Sequence, residues 1–376
     1  MIRSRVNGTS LVRFASAALV LLALGVAAAQ DDTATPDVAT LLSDGQFYLE
    51  RGDCSLAQFY YQEALRLDAN NADAHVGKGQ ALACQGAFPE AIEAFQAGLA
   101  IDPSHLQGLV RLANTFQYQY QSDPTAYSGR LADALDTIRR AESIKADDAS
   151  VQNAKGIIHY LLGDLEQART TLERAATLAG SDDVLEDHER STLQVNLGRV
   201  YRDMGELELA LQAFRRAVVL DPTSATAHNN LGDIAYRLED CSTAEYELSQ
   251  AVSLDPNSLS AASNLGIAMF ECGQIAASLP RLEHAVQMDG AVFLPALFTY
   301  LSRAYLETGR VDEAIQRAQH GALLSQPPSA EAYYWLGQAY QRRGGTGDRE
   351  RARDAYQRAI EVDPAFSSAQ EALNNL

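Results

Sequence analysis

The sequence predicts an all-α solenoid assembled from nine copies of a helix-turn-helix unit. Three observations carry this: apolar residues recur at helical spacing in paired segments, small residues return at a fixed interval, and Gly and Pro punctuate the joints. The clearest copy is Ser191 to Ser224, STLQVNLGRVYRDMGELELALQAFRRAVVLDPTS. Counting its 34 positions, Leu197, Gly198 and Tyr201 fall at 7, 8 and 11, and Gly205, Ala210, Phe214, Ala217 and Pro222 at 15, 20, 24, 27 and 32. Gly198 and Ala210 let two backbones approach closely, Gly205 suits the left-handed end of a helix, and Pro222 cannot continue one.

The same ruler lands along most of the chain. Units begin at Val38, Ala72, Leu106, Ala149, Ser191, Ala225, Leu259, Pro295 and Ala330. Position 8 is Gly45, Gly79, Ala113, Gly156, Gly198, Gly232, Gly266, Ser302 and Gly337, small in every unit. Gly dominates position 15, with Glu239 as an exception. This spacing resembles the tetratricopeptide repeat (TPR) family, whose unit is a helix-turn-helix. The resemblance implies a right-handed superhelical solenoid over 38–366 with a protein-interaction role, and Ser367 to Leu376 reads as a polar-faced capping helix.

Ahead of the repeats, residues 1–29 differ in kind. Arg3, Arg5 and Arg13 precede an apolar run from Phe14 to Ala29 that ends in Ala27-Ala28-Ala29, the pattern of a cleaved export signal. The run is shorter than the roughly 18 residues that a spanning helix needs. A polar tether at 30–37 follows, and the mature chain is expected outside the cytoplasm, periplasmic or secreted. The formal charge of −19 disfavours nucleic acid and anionic membrane, and favours a neutral or basic protein or peptide partner.

Departures from the ruler mark loops: Gln121 to Ser128 within the third unit, Asp183 to Arg190 between the fourth and fifth, and Gly344 to Thr346 in the ninth. They read as surface insertions. Pro280 is placed near the first turn of its helix, where Pro is tolerated. The four cysteines allow three pairings. Cys54 and Cys241 both stand at position 17, while Cys84 and Cys272 stand at 13 and 14 of the following units. In an antiparallel stack these places lie side by side, which predicts Cys54–Cys84 and Cys241–Cys272 bridges.

Position 6 points from the first helix into the concave groove of TPR proteins, and here it is Asn196, Asn230 and Asn264 in consecutive units. An amide both donates and accepts, so it can pair with the backbone of an extended peptide whatever its side chains. The row resembles the asparagine ladder of the O-linked N-acetylglucosamine transferase superhelix. Farther along, Tyr300 and Trp335, with Tyr334 beside it, offer apolar anchorage or packing against a neighbouring helix. Arg111, Asn114 and Tyr118 form a more isolated set, and Lys78, Lys145 and Lys155 miss the places of a carboxylate clamp. The seven His residues are scattered without metal-ligand spacing, and no hydrolase or metalloprotease motif occurs. The expectation is a non-catalytic scaffold of the cell envelope, without cofactor or metal, that binds an extended peptide. A glycan or small-molecule receptor and a structural assembly subunit are the alternatives.

Overall fold

The computed structural model describes residues 36–181 and 185–376. The expected signal at 1–29 and most of the tether lie outside these residues. Among the described residues there are nineteen α-helices, one 3-10 turn and no strand. They divide into two compact units, the first ending at Tyr127 and the second running from Ser128 to Leu376.

The first unit holds α1 (Val38–Glu50), α2 (Cys54–Leu67), α3 (Ala72–Cys84), α4 (Phe88–Ile101) and α5 (Leu106–Ser122). The second begins with α6 (Arg130–Ile144), α7 (Ala149–Leu161), α8 (Leu165–Ser181), α9 (Asp187–Asp203) and α10 (Leu207–Leu220). It continues through α11 (Ala225–Arg237), α12 (Cys241–Leu254), α13 (Leu259–Glu271), α14 (Ile275–Ala285) and a 3-10 turn at Ala291–Phe293. It closes with α15 (Pro295–Glu307), α16 (Val311–Leu324), α17 (Ala330–Arg343), α18 (Asp348–Val362) and α19 (Ser367–Asn374). The insertion in the third sequence unit straddles the boundary between the two, so its first helix closes one unit and its second opens the other.

Local chemistry sets where the helices start. Asp37, Asn71, His105, Asp148, Ser224, Ser258 and Ser329 each precede a first helix and accept a first-turn backbone N–H. Packing then follows the ruler. A Cβ built on Gly198 would lie 2.6 Å from the ring of Phe214, which is fully buried, so the close crossing of α9 and α10 requires glycine there.

Two sequence expectations are corrected, and a third position is explained. Residues 187–190 of the acidic insertion are helical, because α9 starts at Asp187; Glu189 accepts the Glu186 N–H at 3.4 Å and closes a capping box. Pro280 is the sixth residue of α14 and not part of its first turn, and this helix is the shortest of the paired ones. Glu239, the exception at position 15, takes the left-handed conformation that glycine adopts elsewhere, with φ 61°.

The cysteines meet as the ruler requires. Cys54 lies beside Cys84 and Cys241 beside Cys272 at disulfide distance, with Cα–Cα separations of 6.0 and 5.9 Å. Each pair links a second helix to the end of the next first helix. At the ninth repeat the glycine-rich turn is held by Asp348, whose oxygens each accept from Arg343 at 2.7 Å, while Gly345 donates its backbone N–H at 2.9 Å.

Candidate functional site

In the second unit the first helices of successive repeats, α7, α9, α11, α13, α15 and α17, contact one another side by side. Their shared face carries the position-6 residues. Asn196 Nδ2 donates to Asn153 Oδ1 at 3.1 Å, and Asn264 Nδ2 donates to Asn229 Oδ1 at 3.0 Å. Asn230 behaves differently: it is 6% exposed and donates to Thr226 O of its own helix at 2.7 Å. The row is therefore two interhelical amide pairs separated by an inward-turned Asn230. Asn153 and Asn229, which the position-6 pattern does not include, stand at position 5 of their repeats. Each bridge uses one N–H and one oxygen, and Asn229 also donates to Ser260 Oγ at 3.4 Å; both pairs still hold an amide donor and an acceptor for a ligand.

About two turns along α9 from Asn196 lies a cluster of charge. Tyr160 of α7 donates its hydroxyl to Asp203 Oδ2 at 2.6 Å, and Arg202 Nε donates to Asp203 Oδ1 at 2.8 Å. Burial works against the Asp203 charge, but the bonds from Arg202 and Tyr160 outweigh it and hold the carboxyl below its ordinary value. Arg199 sits between this cluster and the Asn153–Asn196 pair in the helix register. It is half-buried, and burial lowers its guanidinium pKa.

The other end of the face is aromatic. The Arg303 guanidinium carbon lies 4.8 Å from the Phe270 ring centroid and 5.0 Å from those of Tyr300 and Trp335. Arg303 Nη1 donates to Glu271 Oε1 at 2.9 Å, and Trp335 Nε1 donates to Glu331 Oε1 at 3.3 Å. Burial, followed by the Glu271 charge, pushes the Tyr300 hydroxyl up to about 12. The Tyr334 ring packs on Trp335, Tyr356 and Phe366, with Phe366 5.4 Å away just before the capping helix. The structure thus brings Tyr300 and Trp335 together around an arginine with Tyr334 against Trp335, and all three rings are partly buried against the same core cluster. Arg111, Asn114 and Tyr118 lie on α5 in the first unit, where Tyr118 stacks on Phe88 at 6.5 Å.

Among the described residues, no group of three His, Cys, Asp or Glu side chains could hold a metal ion. No helix among them is long and apolar enough to cross a membrane.

Comparisons with known proteins agree with this architecture. Profiles described as tetratricopeptide repeat match residues 45–105, 126–183, 299–344 and 331–365, and one described as TPR repeat matches 198–239. Together they cover more than half of the chain. The anaphase-promoting complex subunit CDC16 of Saccharomyces cerevisiae is 25% identical over 207 residues, which are 52% of this chain and 22% of that protein. The protein CTR9 homolog of Arabidopsis thaliana is 29% identical over 120 residues, 32% of this chain and 10% of that one. The chain therefore spans less than a quarter of the length of these curated relatives. A chain of the crystal structure of the APC/C hetero-tetramer Cut9-Hcn1 superposes with a TM-score of 0.52 at 14% identity, covering 91% of this chain and 90% of that one, a likeness of fold. Repeat spacing, helix pairing and these matches coincide, and the chain belongs to the tetratricopeptide repeat family.

Proposed function

We propose that this protein is a non-catalytic interaction scaffold that holds an extended peptide segment of a partner on the first-helix face of its second unit. The observation that carries the reading is the pair of interhelical amide bridges, Asn153–Asn196 and Asn229–Asn264. Side-chain amides held in place across neighbouring helices present fixed donors and acceptors, so a bound backbone pays less ordering entropy than it would on mobile side chains. The crystal structure that shares the fold is of a hetero-tetramer, in keeping with a role in protein assembly. The glycan alternative needs open ring faces, and Arg303 already lies over Phe270, Tyr300 and Trp335.

We further propose an extracytoplasmic location, in the cell envelope or beyond it. The signal-like pattern at 1–29 and the two cysteine pairs at disulfide distance support it. The peptide reading is tested by fluorescence anisotropy of a labelled library of neutral, extended peptides against wild type and an Asn196→Ala, Asn264→Ala double variant. A tenfold or greater loss of affinity is expected, and equal binding by a folded double variant would put recognition elsewhere.

A further inference from the structure

One kind of contact recurs where a turn meets the helix after it. The fourth residue of α3, α7, α11 and α19 reaches back six residues to a carbonyl of the preceding turn. His75 Nε2 lies 3.1 Å from Ala69 O, and His228 Nε2 lies 3.0 Å from Pro222 O. Gln152 Nε2 donates to Ala146 O at 2.8 Å, and Gln370 Nε2 donates to Pro364 O at 2.6 Å. Two of these latches also meet an acid. Gln152 has two amide hydrogens, so the same Nε2 donates to Glu142 Oε1 at 3.3 Å as well. His228 faces Glu247 Oε2 of α12 through its Nδ1, 2.5 Å away. The two side chains of this pair are enclosed, 8% and 12% exposed.

An imidazole differs from an amide in how many donors it holds. The neutral ring carries one N–H, whereas Pro222 O and an ionised Glu247 are both acceptors, so both bonds form only when the pair holds one more proton. That proton sits on the ring, making an imidazolium, or on the carboxyl, which then donates to Nδ1. Without it, one ring nitrogen turns its lone pair toward an acceptor in an enclosed joint, which is unfavourable. Other charges on the surrounding elements are engaged elsewhere or exposed. Asp221 of the α10–α11 turn accepts from Thr223, Asp233 of α11 from Arg237, Glu245 of α12 from Gln274, and Glu271 of α13 from Arg303. On α9, Arg190 is paired with Asp187, and Arg215 and Arg216 of α10 are exposed. We infer that the His228–Glu247 pair is a proton-dependent latch. While it keeps that proton it holds α11 both to the preceding turn and to α12, and it releases one of them as rising pH removes the proton. Gln152 makes the corresponding two bonds without titrating, and so shows the pH-independent form of the same joint. Asn229, the residue after His228, accepts the Asn264 amide, which puts the latch beside one of the two bridges of the first-helix face.

Hydrogen exchange of the full chain, read as protection factors corrected for the intrinsic effect of pH, tests the latch segment by segment. Between pH 6 and pH 9, residues 222–232 of the wild type should lose about fivefold protection or more, the consequence of one unmade bond in an enclosed joint. Residues 146–156, which carry Gln152, should change by less than about twofold, because an amide does not titrate in this range. His228→Gln should hold 222–232 level as well, since its amide donates to Pro222 O and Glu247 together. Glu247→Gln should do the same by another route: its amide donates to Nδ1 of a neutral ring whose Nε2–H reaches Pro222 O. Wild-type protection at 222–232 that stays level across this range overturns the inference. So does a fall of equal size in both folded variants, or one shared by 146–156, because either would place the pH response outside this pair.

Discussion

Arg199 and Arg303 occupy the same ninth place of their repeats and meet opposite surroundings. Arg303 is enclosed by three aromatic rings and bonded to Glu271; Tyr300 comes from its own helix, and the other groups come from the first helices on either side. Arg199 is flanked by amides, a tyrosine and an acid already taken by others. One register position thus serves packing at one end of a face and holds a guanidinium without a protein hydrogen bond toward the other. Repeat register sets where a side chain stands, and its neighbours set what it does there.

The comparison can be broken or sharpened by experiment. The largest expected effect comes from the Cys241–Cys272 pair, which ties α12 to the end of α13 between the two ends of the face. Closing a segment with sequence separation 31 stabilises by about 3 to 4 kcal/mol in the chain-entropy model. A Cys241→Ser, Cys272→Ser double variant should lose this in denaturant unfolding, while Trp335 emission of the folded state stays unchanged because the aromatic end keeps its own contacts. Emission that shifts in the folded variant would mean the two ends are not independent.

Arg303→Ala should cost about 2 kcal/mol, since it removes three ring contacts and leaves Glu271 without its partner. Chemical denaturation measures it, and the single Trp of the chain should report greater exposure. Arg343 extends the same contrast. Its bonds, with those from Gly345 and Arg351, hold the Asp348 carboxyl well below its ordinary value against the opposing effect of burial. The charged carboxylate stabilises the fold above its unfolded pKa near ~3.9, and that contribution is lost as pH falls through the lower folded value. Thermal melts between pH 6 and 2 should therefore drop less steeply in Asp348→Asn than in wild type.

Glu239→Gly should stabilise by about 1 kcal/mol, because it relieves a left-handed residue in an exposed turn while touching neither arginine. Arg199→Met should change stability least, by no more than about 0.5 kcal/mol in either direction, since it removes no internal bond. A loss as large as that of Arg303→Ala would show that Arg199 has a structural partner after all and would erase the contrast.

Much of the fold was legible in the sequence because each repeat encodes it locally. Capping residues, turn glycines and the small position-8 residues act within one unit, and repetition makes the pattern visible. The cysteine pairing was legible for the same reason: equivalent places in adjacent units come together wherever the stack is regular. The helical start of the acidic insertion was missed because Glu186 and Glu189 fell outside the ruler, although the capping box itself is a local signal.

By itself, the sequence determined that this chain would be an all-α array of TPR units. Three matters were decided by tertiary structure alone: that Asn230 turns to Thr226 while Asn196 and Asn264 reach across to Asn153 and Asn229, that Arg303 fills the aromatic end, and that Arg199 is left unmatched. The reason is physical. Helix formation and repeat stacking depend on residues within or next to one unit, whereas the satisfaction of a polar side chain depends on which groups three helices bring within about 3 Å, a distance that a spacing rule does not contain.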